Sequence, residues 1–228
     1  MLKLFKKGIF LIFGSISYIN LLPFQIFIKK EINNIQFKQI LNYKKSTPSA
    51  INKAFKQKRV DAAFISSIKS KNCKCTDLGI VANGAVYSVF VDLSKEPKLD
   101  SESDTSNILA KLLKLNGQVI IGDKALKYYL KHSSNNLVDL SLKWKQKRKL
   151  PFVFARLCYN KNGKKIQKLA KKFQKSQPKI PYYYLKRVAK QKGLSINELK
   201  WYLNHISYNL GYKEKKSLKL FLKEARNA

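Results

Sequence analysis

The sequence predicts an α/β fold in which a smaller lobe is inserted into a larger one and the chain ends in helices. Three observations carry this expectation. Strand-like and helix-like runs alternate between residues 9 and 65, as a sheet with crossover helices requires. Two long strand-like runs, near 86–91 and 151–159, can leave one lobe and return to it, and no convincing strand pattern follows Gly163.

Residues 8–28, GIFLIFGSISYINLLPFQIFI, hold no charged side chain and lie between Lys7 and Lys29. A membrane-spanning helix needs about twenty uninterrupted apolar residues, whereas Gly14, Ser15, Ser17, Asn20 and Pro23 break this stretch in its middle. No small-residue cleavage site of the A-x-A type follows it, so a secretion signal fits poorly. The stretch divides better into a buried strand over 9–14, a loop over 15–20, and a helix begun by Pro23 that carries Phe24, Phe27 and Ile28 on one side. A cytoplasmic protein follows from that division.

Residues 37–43 alternate well enough for a second strand. In STPSAINKAFKQKRVDAAFISS a hydroxyl cap and Pro48 open a helix that buries Ile51 and Phe55, and residues 60–65 form another buried strand. This order suggests a mostly parallel sheet. LGIVANGAVYSVFVD is two strand-like runs broken at Asn83 and Gly84, a turn pair. SESDTSNILAKLLKL opens polar and becomes helical, GQVIIGDKALKYYL is a strand followed by a helix, and LPFVFARLCYN is a strand able to rejoin the first lobe. Helical patterns over 166–173, 182–192, 196–209 and 217–225 fill the remainder.

The chain of 228 residues carries 47 lysines and arginines against 13 acidic residues, a net charge of +34. Such charge invites a nucleic-acid or anionic-membrane partner. Its texture does not: arginine, whose planar fork suits phosphates and bases, occurs only at Arg59, Arg148, Arg156, Arg187 and Arg226, and the lysines form no dense block. A dispersed lysine coat reads as a solvated surface, with no nucleic acid and no membrane as partner. Cys73, Cys75 and Cys158 are too few and uneven for a disulfide framework and fit a reducing compartment. Cys73 and Cys75 lack a second Cys or His cluster nearby, so no metal site is expected. No Ser/His/Asp order, phosphate-binding loop or zinc spacing is present.

The segments SISYINLLPF, TPSAINKAFKQKRVDAAFISSIKS, NGAVYSVFV, DTSNILAKLL, VIIGDKAL and LPFVFARL occur in an order and spacing that resemble the chorismate dehydratases, which open the futalosine route to menaquinone. The resemblance covers most of residues 13–159 and fades to a general helical pattern after Gly163. It implies a two-lobed type II periplasmic-binding-protein-like fold, divided as 1–88 with 153–228 and an inserted 89–152. It also implies chorismate as substrate, 3-[(1-carboxyvinyl)oxy]benzoate as product, and no cofactor. A carrier of the same fold, binding a small anionic metabolite without chemistry, is the alternative.

The same resemblance implies the site residues. Asn20 in YINLLP falls on the family's active-site asparagine and Ser88 in GAVYSVFV on its active-site serine. Ser66 occupies the position of a small hydroxyl residue at a strand end facing the cleft. Thr105 and Ser106 match a Thr-Ser pair opening a helix of the second lobe, and Gly122 with Asp123 match an IGD turn. Many relatives carry an arginine just before the Thr-Ser pair, where this chain has Asp104, so another donor must serve any carboxylate that arginine holds. Each position also suits a plainer role: Asn20 a turn residue, Ser88 a sheet hydroxyl, Thr105 with Ser106 an ordinary helix cap, Asp123 the cap of KALKYYL. His132 and His205 lie outside these segments and read as surface residues. Oligomeric state has no signature in the sequence.

Overall fold

The computed structural model describes residues 11–31, 45–132, 135–176 and 179–227. Its first strand, β1 (Phe13–Ile16), is wholly buried. A 3-10 turn (Ile19–Leu21) leads into α1 (Leu22–Glu31), with Pro23 in the first turn and Leu22, Phe24, Ile26, Phe27 and Ile28 buried. The described part of the apolar opening stretch is thus spent on the core, and among the described residues no helix is long and apolar enough to cross a membrane. Of the strand expected over 9–14, the first two residues lie outside the described residues; 11 and 12 are not strand, and β1 continues through Ser15 and Ile16. The strand expected over 37–43 lies outside the described residues.

After β2 (Lys45–Ser46), Thr47 caps α2 (Pro48–Lys56) by accepting a hydrogen bond from the Ala50 amide, and Pro48 occupies the first turn where its missing N–H costs nothing. The helix buries Ile51 and Phe55 against the sheet. All five residues of β3 (Ala62–Ser66) are buried, as expected of a strand covered on both faces. A second 3-10 turn (Ser67–Ser70) precedes β4 (Cys75–Ala82).

The chain then builds a smaller unit from β5 (Val89–Asp92), α3 (Asp104–Leu112), β6 (Gln118–Ile121), α4 (Gly122–Lys131), β7 (Leu137–Asp139) and α5 (Leu140–Arg148). Its three strands run antiparallel in the order β6-β5-β7. The chain returns through β8 (Phe152–Tyr159) and ends in α6 (Gly163–Ser176), α7 (Tyr182–Lys192), α8 (Ile196–Leu203), β9 (Ser207–Asn209) and α9 (Tyr212–Glu224).

The larger sheet has the order β2-β1-β3-β8-β4-β9. Only β1 pairs in parallel, with β2 and β3; β8 enters antiparallel between β3 and β4. The expectation of a mostly parallel sheet is therefore corrected. A strand returning from an inserted unit arrives from the far side and runs against the strands it joins. A second correction is β9, a three-residue strand on the edge of β4 within a tail expected to be wholly helical.

A third concerns the cysteines. Cys75 and Cys158 face each other across β4 and β8 and form a disulfide, leaving Cys73 free. Neither the sparse count nor the residue spacing reveals a pair separated by 83 positions. A reducing compartment was the expectation from cysteine usage, and this bond is contrary to it.

An aromatic cluster centres the larger core. The Phe24 ring meets Phe64 at 4.9 Å and Phe173 at 5.1 Å edge to face, with Phe13 at 5.6 Å and Phe27 at 6.3 Å. It joins α1, β1, β3 and α6, elements far apart in sequence. Phe24 is 1% exposed, so Phe24→Ala is expected to cost about 3–5 kcal/mol, read as a lower midpoint in urea unfolding.

Candidate active site

The chain gathers several polar tips at one place between the two sheets. A cavity of about 70 Å³ is lined by Asn20 and Tyr18 from the turn after β1, Ser66 from the end of β3, Ser88 from the start of β5, Ser103 and Ser106 from the first turn of α3, and Gly122 from the start of α4. Apolar walls come from Ile16, Phe64, Ile80, Val86, Ile121 and Phe154. No described residue lining it is charged.

Asn20, Ser66, Ser88, Ser106 and Gly122 are thus brought together on one cavity. Ser66 is held by Asn52, whose amide nitrogen donates to the Ser66 hydroxyl at 2.8 Å and whose oxygen accepts the Ser66 amide at 3.2 Å. The Gly122 amide donates to the Ser88 carbonyl at 2.8 Å. Gly122 has φ +71°, and a Cβ there would stand 2.6 Å from the Tyr18 ring, so only glycine fits. The Tyr18 hydroxyl in turn donates to Glu102, and burial followed by that carboxylate pushes its pKa well up.

Thr105 and Asp123 are placed differently. Ser103 is the N-cap of α3, its hydroxyl accepting the Ser106 amide at 3.1 Å, so Thr105 and Ser106 lie inside the helix rather than before it. The Thr105 hydroxyl accepts the Ile68 amide at 3.2 Å, and Thr105 does not line the cavity. Asp123 also stands outside the lining. Its carboxylate accepts the Ile19 amide at 3.0 Å and meets the Lys192 ammonium at 2.5 Å, and that lysine donates to the Ser17 carbonyl at 2.8 Å. Both residues tie the smaller unit to segments of the larger one. Asp104 pairs with Lys69 at 2.9 Å in solvent, each side chain 54% exposed, and contributes nothing to the lining.

Sequence reasoning missed three residues behind the cavity. The Tyr202 hydroxyl, from α8, lies 2.9 Å from the Ser88 hydroxyl. Burial, above all, raises its pKa strongly, while the neighbouring Ser88 and Asn20 side chains oppose the rise. Tyr208 donates to the Asn20 carbonyl at 2.6 Å. Leu199 and Tyr202 are buried three residues apart on α8, a spacing that marks an inward face but not what it meets. The third is Asp139, which caps α5 through the Ser141 and Leu142 amides and accepts the Val86 and Tyr87 amides at 2.9 and 2.8 Å. It thereby fixes the backbone immediately before Ser88, where Tyr87 takes the left-handed φ of +58°. Burial raises its carboxyl to about 6 against the four amide donors.

His205 is corrected too. It is half-buried just past α8, its ring 4.6 Å from Tyr87 and 4.8 Å from Trp201, with Nδ1 2.9 Å from the Trp201 carbonyl. Neither histidine lines the cavity.

Fold and site together define an α/β protein with a small cavity of apolar walls and uncharged polar tips between its two sheets. The menaquinone biosynthesis family model matches residues 11–118 and 113–227, and the chain belongs to that family. A chorismate dehydratase from Campylobacter jejuni is 47% identical over 219 residues, covering 95% of this chain and 98% of that one. The crystal structure of a protein from Archaeoglobus fulgidus superimposes with a TM-score of 0.67 over 94% of this chain and 96% of that one; at 13% identity the likeness concerns the fold alone.

Removing the Asp139 carboxylate strips a helix cap and leaves two amide donors without their acceptor. Asp139→Ala is expected to lower stability by about 2–3 kcal/mol in chemical unfolding and to reduce turnover through the displaced Ser88.

Proposed function

We propose that this protein is a chorismate dehydratase of menaquinone biosynthesis, a hydro-lyase that converts chorismate to 3-[(1-carboxyvinyl)oxy]benzoate. The observation that carries the reading is the 47% identity with a chorismate dehydratase across nearly the whole of both chains. The convergence of Asn20, Ser66, Ser88, Ser106 and Gly122 on one cavity supports it from the side of geometry. The fold is read as a two-lobed type II periplasmic-binding-protein-like architecture, with 1–88 and 153–228 forming one lobe and 89–152 the other. Its support is the two separate sheets, joined by the passages from β4 to β5 and from α5 to β8.

In this reading the site needs hydrogen-bond donors and alignment more than a strong base. The ring C–H bond gives its electron pair to the new aromatic system. The C–O bond breaks with its pair on oxygen, which leaves as water after gaining a proton. Aromatisation supplies much of the driving force, so orientation and exclusion of solvent suffice for large acceleration. Asn20 and Ser88 hold the reacting face, Ser66, Ser106 and Gly122 line it, and a carboxylate of the substrate takes the ring proton. Thr105 and Asp123 serve this site by binding its two sides together.

A cavity of about 70 Å³ is small beside ligand pockets of roughly 300–1,000 Å³, so substrate enters by parting of the two lobes. The ties to part are Asp123 with Lys192 and Ile19, Tyr18 with Glu102, and Lys69 with Asp104. Cytoplasmic placement belongs to the same reading, supported by the use of residues 13–16 and 22–31 as β1 and α1 and opposed by the Cys75–Cys158 disulfide.

Purified protein incubated with chorismate is expected to yield the aromatic enol ether, followed by chromatography; chorismate recovered intact would identify a carrier instead. Ser88→Ala is expected to lower kcat by about a hundredfold or more while altering substrate binding much less.

A further inference from the structure

Beside the first cavity lies a second, of about 180 Å³, built wholly by the larger unit between α1, α7 and the turn after β1. Ile26 and Val188 face it with apolar surface, and Lys29, Arg187 and Lys192 bring cations to it. No acidic side chain lines it, although all 13 acidic residues of the chain lie among the described residues. Lys192 is already paired with Asp123, whereas neither Lys29 nor Arg187 has an ion-pair partner among the described residues. The Arg187 guanidinium lies over the Tyr184 ring at 4.7 Å. A guanidinium stacked in this way is held in one plane, and its N–H edge fits the two oxygens of a carboxylate.

Tyr18 is the one described residue that lines both cavities. The smaller unit holds it in place: its ring packs on Gly122, and its hydroxyl donates to Glu102. Parting of the two units therefore releases the residue that divides one cavity from the other. We infer that the outer cavity is a docking compartment in which Arg187 and Lys29 receive a carboxylate of the substrate, with Tyr18 as the partition between it and the inner one. This rests on the proposed dehydratase function and deepens it by assigning an anion site.

The chemistry of the ligand and of the two cavities agrees. Chorismate sets two carboxylates about a hydrocarbon ring. The inner cavity, of about 70 Å³ and without charged lining among the described residues, has neither room for the whole molecule nor a cation for its carboxylates. A carboxylate entering such a space must first give up water, and a guanidinium with an ammonium, both lacking an acidic partner, offsets that loss. The outer cavity supplies the two cations beside apolar surface for the ring, and shares Tyr18 as a wall with the cavity that Asn20 and Ser88 line. Arg187 and Lys29 act before any bond changes, so their charge enters substrate capture and not the chemical step.

Steady-state kinetics with chorismate test this. Arg187→Gln is expected to raise KM about tenfold with kcat changed by less than about twofold, and Lys29→Gln to act in the same direction. Lys186→Gln removes the same charge from the exposed neighbouring position, outside the cavity lining, and is expected to leave KM within about twofold of native. A second arm needs no turnover: isophthalate, a flat ring bearing two carboxylates, is expected to raise the melting temperature of native protein and of Lys186→Gln, and not that of Arg187→Gln. An unchanged KM in Arg187→Gln, an equal rise in Lys186→Gln, or isophthalate stabilisation that is absent from native protein or survives Arg187→Gln would each overturn the assignment. Native protein that leaves chorismate unchanged would overturn the dehydratase reading instead, and the isophthalate arm would still decide whether the outer cavity holds a dicarboxylate.

Discussion

The site depends on one carboxylate placed between two sheets. Asp123 begins α4 on the smaller sheet, yet its oxygens are engaged by the Ile19 amide and the Lys192 ammonium on the larger one. This tie draws the turn holding Asn20 against the helix start holding Gly122, and Gly122 is itself bonded to the Ser88 carbonyl. Half-buried charge pairs of this sort are worth more as fixtures of geometry than as sources of net stability, since desolvation offsets much of their attraction. Here the geometry is what matters: without the tie, Asn20 and Gly122 would stand on separate bodies.

Local chemistry was readable wherever it is decided by neighbours in sequence. Thr47 and Pro48 announce α2, the unbroken apolar run 60–65 announces β3, and IGD announces the turn from β6 into α4. Five residues that the motifs single out, Asn20, Ser66, Ser88, Ser106 and Gly122, line one cavity. Pairing was less readable. The direction of β8 follows from where the inserted unit releases the chain, and β9 exists because β4 offers it a free edge. Its three residues alternate exposed, half-buried, exposed, but are too few for alternation to mark a strand in the sequence.

Partners contributed from a distance were the least readable of all. Tyr202 is 114 residues from Ser88, and Asp139 is 53 from Val86. Helical spacing places Tyr202 on a buried face, but a buried tyrosine needs some partner in any fold, and only tertiary structure decides which. The Thr105 expectation erred for a related reason. Serines and threonines crowd the start of α3, and cap identity turns on a single residue's φ and ψ; Ser103 takes the extended geometry and with it the capping role.

The charge of the chain and the neutrality of its cavity are complementary. A net charge of +34 raises the local concentration of a dianion around the whole molecule, without any particular lysine having to touch it. Inside the cavity the lining is uncharged, so the charge that attracts an anion lies on the surface, while the groups that would meet one within are hydroxyls, an amide and backbone. A guanidinium against a bound carboxylate lowers its basicity, whereas desolvation in an apolar-walled space raises its affinity for a proton, and a lining without cations leaves that affinity intact.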